Sequence, residues 1–218
     1  IFVHAGSDWQ SDVNGDSPND MPTFFVSLGE PAALRGGGTL TECSVIPETT
    51  TQDGYLGSIA AGLYHEFGHA LGLVDIYDTS TGLPSVGIWT LMDAGTNLSA
   101  NIGFPTPTPT NPDSIEVTPV SGLLPPSLGA WDKWFLGWLE SRTLGGGQTA
   151  QRLPAVQIRR TSDEYGRYQD AGYDIRLTDP QALVAGASRR EFFLLENRWV
   201  PLSGAELPEQ EGIGLLRD

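Results

Sequence analysis

Apolar residues come in short bursts along this chain, set between long polar and glycine-rich stretches, and only two segments repeat them at helical spacing. Ile1 to His4 (IFVH) and Thr23 to Leu28 (TFFVSL) read as strands. Gly6 to Asp20, between them, is a polar loop crowded with Asp and Asn. Residues 29 to 54 are rich in Gly, Thr and Pro and contain Gly36-Gly37-Gly38, so they read as connecting chain. From about Gly54 to about Leu71, apolar residues fall at Leu56, Ile59, Ala60, Leu63, Phe67, Ala70 and Leu71. That i, i+3, i+4, i+7 stripe predicts a helix with one buried face. Gly72 is placed to end it, because glycine readily takes the left-handed conformation past a helix C-terminus.

Residues 79 to 122 show no period and read as irregular, with the tract PTPTPTNP (105 to 112) as a surface loop. A second helix is expected from about Ser127 to about Glu140, on a stripe of Leu128, Trp131, Phe135 and Trp138. Three tryptophans in eight residues point to a core helix, with an aromatic ligand cage as the alternative. Gly145 to Gly147 breaks the chain again, and strands are expected at Arg152 to Ile158 and Glu191 to Glu196. No internal repeat is visible.

The 218 residues (23.4 kDa) suit a single domain, with an upper part at about 1–74 and a lower part at about 75–218. Both ends read as cut from a longer protein, since the chain starts on IFVHAG and stops on EGIGLLRD. The net charge of −15 argues against a nucleic-acid partner, which needs clustered Lys and Arg. No apolar run is long enough to span a membrane. Cys43 is the one cysteine, so no intrachain disulfide forms. It reads as a small buried hydrophobe, with a cap on a latent zinc site as the alternative.

The candidate chemistry sits in HEFGHALGLVDIYD, residues 65 to 78. His65 and His69 are four apart, so a helix places both imidazoles on one face where they can reach one zinc. Glu66 lies beside the metal, suited to take a proton from a metal-activated water. The third ligand is open between three carboxylates. Asp75 stands where the longer metzincin pattern HExxHxxGxxH has its last histidine, and Gly72 is the glycine of that pattern. Asp78 is the alternative nearby, and Glu196 in LLENRW would be a distant donor. Tyr64 and Tyr77 are near enough to stabilise an oxyanion, and nothing in the sequence chooses between them.

The series HEFGHALGLVDIYD, GIWTLMDAG (87 to 95), LGAWDKWFLGW (128 to 138) and EFFLLENRW (191 to 199), with VHAG (3 to 6) upstream, resembles the immune inhibitor A family of secreted bacterial metallopeptidases. The resemblance implies an α+β, zincin-type metallopeptidase domain: a mixed β-sheet over an HExxH active-site helix, with an irregular lower subdomain. It implies a secreted zinc endopeptidase acting on proteins or peptides, with His65 and His69 as ligands and Glu66 as base. Met92 would be the methionine turn beneath the metal, and an upstream inhibitory pro-segment is a further expected partner. Two departures stand out: Val74 replaces the proline often found before the family's Asp, and the loop after Gly95 carries the Pro/Thr tract. The competing reading is a non-catalytic extracellular binding or adhesion module on the same fold. An intact Glu66 speaks against it, because a purely structural metal site has no need of a base. A second metal is expected at SDWQSDVNGDSPND, where Asp12, Asn14 and Asp16 alternate as calcium loops do, although Ser17 and Thr23 break the EF-hand pattern.

Overall fold

The computed structural model describes residues 1–139, 141–143, 153, 167–170, 173–176, 182–185 and 192–198. Its first sheet is built around a strand that the sequence pattern hides. β1 (Phe2–His4) pairs in parallel with β3 (Thr39–Pro47), and β2 (Phe24–Ala33) pairs with β3 on the other side, antiparallel. The order β1-β3-β2 makes a mixed sheet. The stretch at 29 to 54 is therefore not simply connecting chain. Gly36, Gly37 and Gly38 form the tight turn of the β2–β3 hairpin, with φ of 106°, 97° and 94°, a region closed to most L-residues. β3 escapes the hydrophobic pattern because its first half is polar and mostly exposed, whereas Ser44 to Pro47 are buried.

Helix α1 (Ile59–Ala70) begins later than its periodicity suggests. Ser58 caps it, its side chain accepting from the Ala60 N–H, and the residues before the cap are tied elsewhere. The Ser58 N–H donates to the Ser121 carbonyl at 2.8 Å, and the Ser121 N–H donates to Leu56 at 3.0 Å. Gly72 does end the helix. It has φ of 95°, its N–H donates to His69, and the Leu73 N–H donates to Gly68, the paired bonds of a Schellman cap.

The expected stripe is not the buried face: Leu56, Ile59, Ala60 and Leu63 are half-buried and Ala70 is exposed. Phe67 and Leu71 are exposed, and the buried face of α1 is Ala61, His65, Glu66 and Gly68. The reason lies beneath the helix. A Cβ at Gly68 would come within 2.5 Å of Met92 Sδ, so glycine is what lets the fully buried Met92 approach. The helix rests against β2 and β3, where Ser44 Oγ donates to the Glu66 carbonyl.

Residues 79 to 122 are more regular than the sequence suggests. β4 (Ser99–Pro105) and β5 (Ile115–Ser121) form an antiparallel hairpin, and the PTPTPTNP tract makes its exposed tip. Only Ala100 and Val120 on these strands are buried, so the hydrophobic alternation is too faint to read.

Among the described residues the chain divides into two compact units, Ile1–Gly129 and Ala130–Asp218. The second holds α2 (Ala130–Phe135), the three-stranded sheet of β6 (Ser141–Thr143), β9 (Ala182–Ala185) and β10 (Phe193–Leu195), and the hairpin of β7 (Arg167–Asp170) with β8 (Tyr173–Arg176). The expected helix at 127 to 140 shortens to six residues. Its tryptophans are not core: Trp131, Trp134 and Trp138 are 37%, 42% and 57% exposed. Trp131 stacks on Phe135, and Trp134 meets the edge of Phe192. The expected strand at 152 to 158 lies outside the described residues except for residue 153. No helix among the described residues is long and apolar enough to cross a membrane.

Candidate metal centre

One turn of α1 and the turn after it bring three atoms together. His65 Nε2 lies 3.2 Å from His69 Nε2, and Asp75 Oδ1 lies 3.0 Å from the first and 3.4 Å from the second. Helical spacing places the histidines. The Gly72 cap reverses the chain so that Asp75 comes back under them, and the Ile76 N–H donates to the Met92 carbonyl to hold the return.

The chemistry of the three atoms fits a cation. His65 Nδ1 sits 2.9 Å from the Leu91 carbonyl and His69 Nδ1 sits 3.0 Å from the Leu73 carbonyl. A carbonyl only accepts, so both Nδ1 atoms carry the hydrogen and both Nε2 atoms turn lone pairs toward a carboxylate oxygen. Three acceptors this close need a proton or a metal between them. A tetrahedral zinc with bonds of about 2.0–2.2 Å sets its ligand atoms roughly 3.3–3.6 Å apart, near the spacing seen here. The protonation pattern agrees. Hydrogen bonding to Asp75 holds the His69 pKa above its ordinary value against the pull of burial, so a metal would displace a proton there. Burial would raise the Asp75 carboxyl, but its bonds to His65 and His69 outweigh that and keep it well below the usual range.

Glu66 is buried beside this group, and its Oε2 has no hydrogen-bond partner among the described residues. Burial is the main cause that raises its pKa; the histidines oppose the rise and Asp75 adds to it. Met92 lies under the same turn, fully buried against Gly68. A cleft of about 320 Å³ opens here, with His65, Glu66 and Tyr77 in its wall.

The structure separates the remaining candidates. Asp78 is outside the group: its Oδ1 accepts from the Ser80 N–H at 2.8 Å and the Ser80 Oγ at 2.6 Å in an exposed turn. Glu196, in the second unit, is engaged by Arg198, with Oε1 2.6 Å from Nε. Cys43 is half-buried on β3, also apart from the group. In the other expected metal loop, carboxylate oxygens of Asp12 and Asp16 come within 4.8 Å of a carboxylate oxygen of Asp53, a residue far along the chain that sequence pattern does not join to them. Asn14 donates its backbone N–H to Asp53 at 3.2 Å, which ties the loop to that residue.

Tyr77 is distinguished from Tyr64, which is exposed. The Tyr77 ring stacks on His65 with centroids 6.3 Å apart, and Asp75 acts on its hydroxyl. Burial, then the Asp75 charge and hydrogen bond, push its pKa up to about 12, so it stays a donor. Partners that orient a ligand carboxylate commonly contribute about 10–100-fold to metal affinity. Tyr77→Phe is therefore expected to weaken zinc binding by about tenfold or more in a chelator competition, with the fold retained. Unchanged affinity would assign the hydroxyl no part in holding Asp75.

Residues 39–114, which contain β3, α1, Asp75 and Met92, match the family model described as immune inhibitor A peptidase M6, catalytic domain. No characterised protein and no solved structure matches the chain.

Proposed function

We propose that the chain is a secreted, zinc-dependent endopeptidase of the immune inhibitor A kind with Glu66 as its general base, a reading supported by the match of residues 39–114 to that family's catalytic domain. The observation that carries the reading is the group His65, His69 and Asp75, three lone-pair atoms converging beside a buried carboxylate that has a free oxygen.

His65, His69 and Asp75 would hold the metal in a zincin-type arrangement, with the mixed sheet β1-β3-β2 behind the helix. Bound zinc supplies a Lewis acid that acidifies water and polarises a carbonyl. Glu66 accepts the water's proton and returns it to the leaving amine, and its burial raises its basicity for that task. Leu91 and Leu73 fix the imidazole tautomers through their carbonyls. Calcium, the expected second metal, would take the hard oxygen set of Asp12, Asp16 and Asp53.

Metal analysis of the purified chain and a protein-hydrolysis assay before and after chelation test this together. One zinc per chain, with hydrolysis lost on chelation and restored by zinc, is the expected result. Asp75→Ala should lower zinc affinity by more than the roughly 10–100-fold that loss of an outer partner costs, and Asp78→Ala should leave it unchanged. Loss of zinc in the Asp78 variant alone would overturn the ligand assignment. A chain that holds zinc and hydrolyses nothing would be the binding module instead.

A further inference from the structure

We propose that the cleft beside Glu66 is a subsite for a lysine or arginine side chain of the substrate, with Asp8 as the residue that selects it. The proposal rests on the peptidase reading and names the substrate class for that site.

Among the described residues, the cleft wall is rich in hydrogen-bond acceptors, and His65, one of the proposed metal ligands, is part of it. Asp8, Glu66 and Asp93 line it, and no Lys or Arg does. Asp8 is 3% exposed. Its Oδ1 accepts from the Ser11 N–H at 3.1 Å and from Ser11 Oγ at 2.6 Å, and its Oδ2 accepts from Thr23 Oγ1 at 2.6 Å. None of these donors is charged. A carboxylate has about four lone-pair directions, so three bonds leave one on Oδ2. Two further atoms of the wall, Thr50 Oγ1 and Glu66 Oε2, are buried with no partner among the described residues. Ile46, Ile59 and Leu63 line the same cleft and supply apolar surface.

This combination matches one kind of side chain. Ammonium and guanidinium groups carry donors and no acceptor, so they satisfy a wall of acceptors without leaving an orphan of their own. Their aliphatic stems need apolar walls. A cleft of about 320 Å³ lies at the lower end of ligand-sized sites. The surrounding charge acts in the same direction. Residues 1–129 hold fourteen Asp and Glu but a single cation, Arg35, which lies in the exposed turn between β2 and β3. Such a field concentrates cationic segments at the cleft and repels acidic ones.

The test uses binding, so that it does not depend on hydrolysis. Fluorescein-labelled, end-blocked Ala-Ala-Lys-Ala-Ala and its norleucine counterpart are titrated against the zinc-loaded chain by anisotropy, read before measurable cleavage. The lysine peptide is expected to bind at least about tenfold tighter, a difference on the scale of a charge-assisted hydrogen bond. Asp8→Asn should erase that preference, while Glu116→Gln, outside the cleft, should leave it. Thr50→Val is the second variant, expected to reduce the preference without touching the Ser11 and Thr23 bonds. Equal binding of the two peptides by the wild-type chain overturns the proposal, as does a lysine preference that survives Asp8→Asn. Lysine-selective binding without hydrolysis would sink the peptidase reading and leave the subsite standing. Hydrolysis without lysine selectivity would do the reverse.

Discussion

Glu66→Gln is expected to reduce kcat/KM on a protein substrate by about 10²–10⁴-fold, the usual contribution of a positioned general base. The substitution keeps the size of the side chain and removes only its capacity to take a proton. Glu66 is buried, and burial already disfavours its charged form, so a neutral amide should not lower stability. The proposed metal ligands are other residues, so zinc content should match the wild type. Loss of hydrolysis with zinc and melting temperature retained separates a catalytic role from a structural one. Wild-type activity in Glu66→Gln would remove it as the base.

The second large effect is on stability. Asp93→Ala is expected to cost about 3–5 kcal/mol, since each buried N–H left without an acceptor costs about 1–3 kcal/mol and the loop recovers part of that by relaxing. Asp93 is 1% exposed and accepts four backbone N–H groups. Ser85, Val86 and Gly87 donate to Oδ2 at 2.9, 2.6 and 2.9 Å, and Ala94 donates to Oδ1 at 2.7 Å. These bonds shape the loop that delivers the Leu91 carbonyl to His65 and Met92 to Gly68. Burial alone would raise the Asp93 pKa, but the four donors lower it on balance. A carboxyl with a depressed folded-state pKa stabilises the fold above its ordinary value, near 4, and loses that contribution as the pH falls through the folded value. Stability from urea titration should therefore decline on acidification below about pH 4, and decline less in Asp93→Asn. Equal acid sensitivity in the two chains would assign the decline to other carboxylates.

The convergence of His65, His69 and Asp75 was largely legible in the sequence because its geometry is local. Two histidines one helical turn apart share a face whatever surrounds them, and a glycine after the helix permits the reversal that returns Asp75. Asp78 was as close in sequence and could be set aside only from its engagement with Ser80. Tyr77 was nameable but indistinguishable from Tyr64 until one stacked on His65 and the other stood exposed.

What sequence pattern could not supply depends on residues far apart in the chain. The buried face of α1 runs through His65, Glu66 and Gly68 because Met92 packs against it, a contact across more than twenty residues that no hydrophobic period encodes. The β4–β5 hairpin is mostly exposed and β3 is so in its first half, so pairing holds them where a buried stripe does not and their apolar pattern is weak. Asp93 and Asp8 look like any other acidic residues along the chain. Their roles come from backbone and hydroxyl donors that the fold gathers around them. The helix, its cap and the metal-binding letters thus follow from short-range stereochemistry. The cleft, its acceptors and the support beneath the histidines follow from long-range packing, because burial and hydrogen-bond partners are properties of the folded chain.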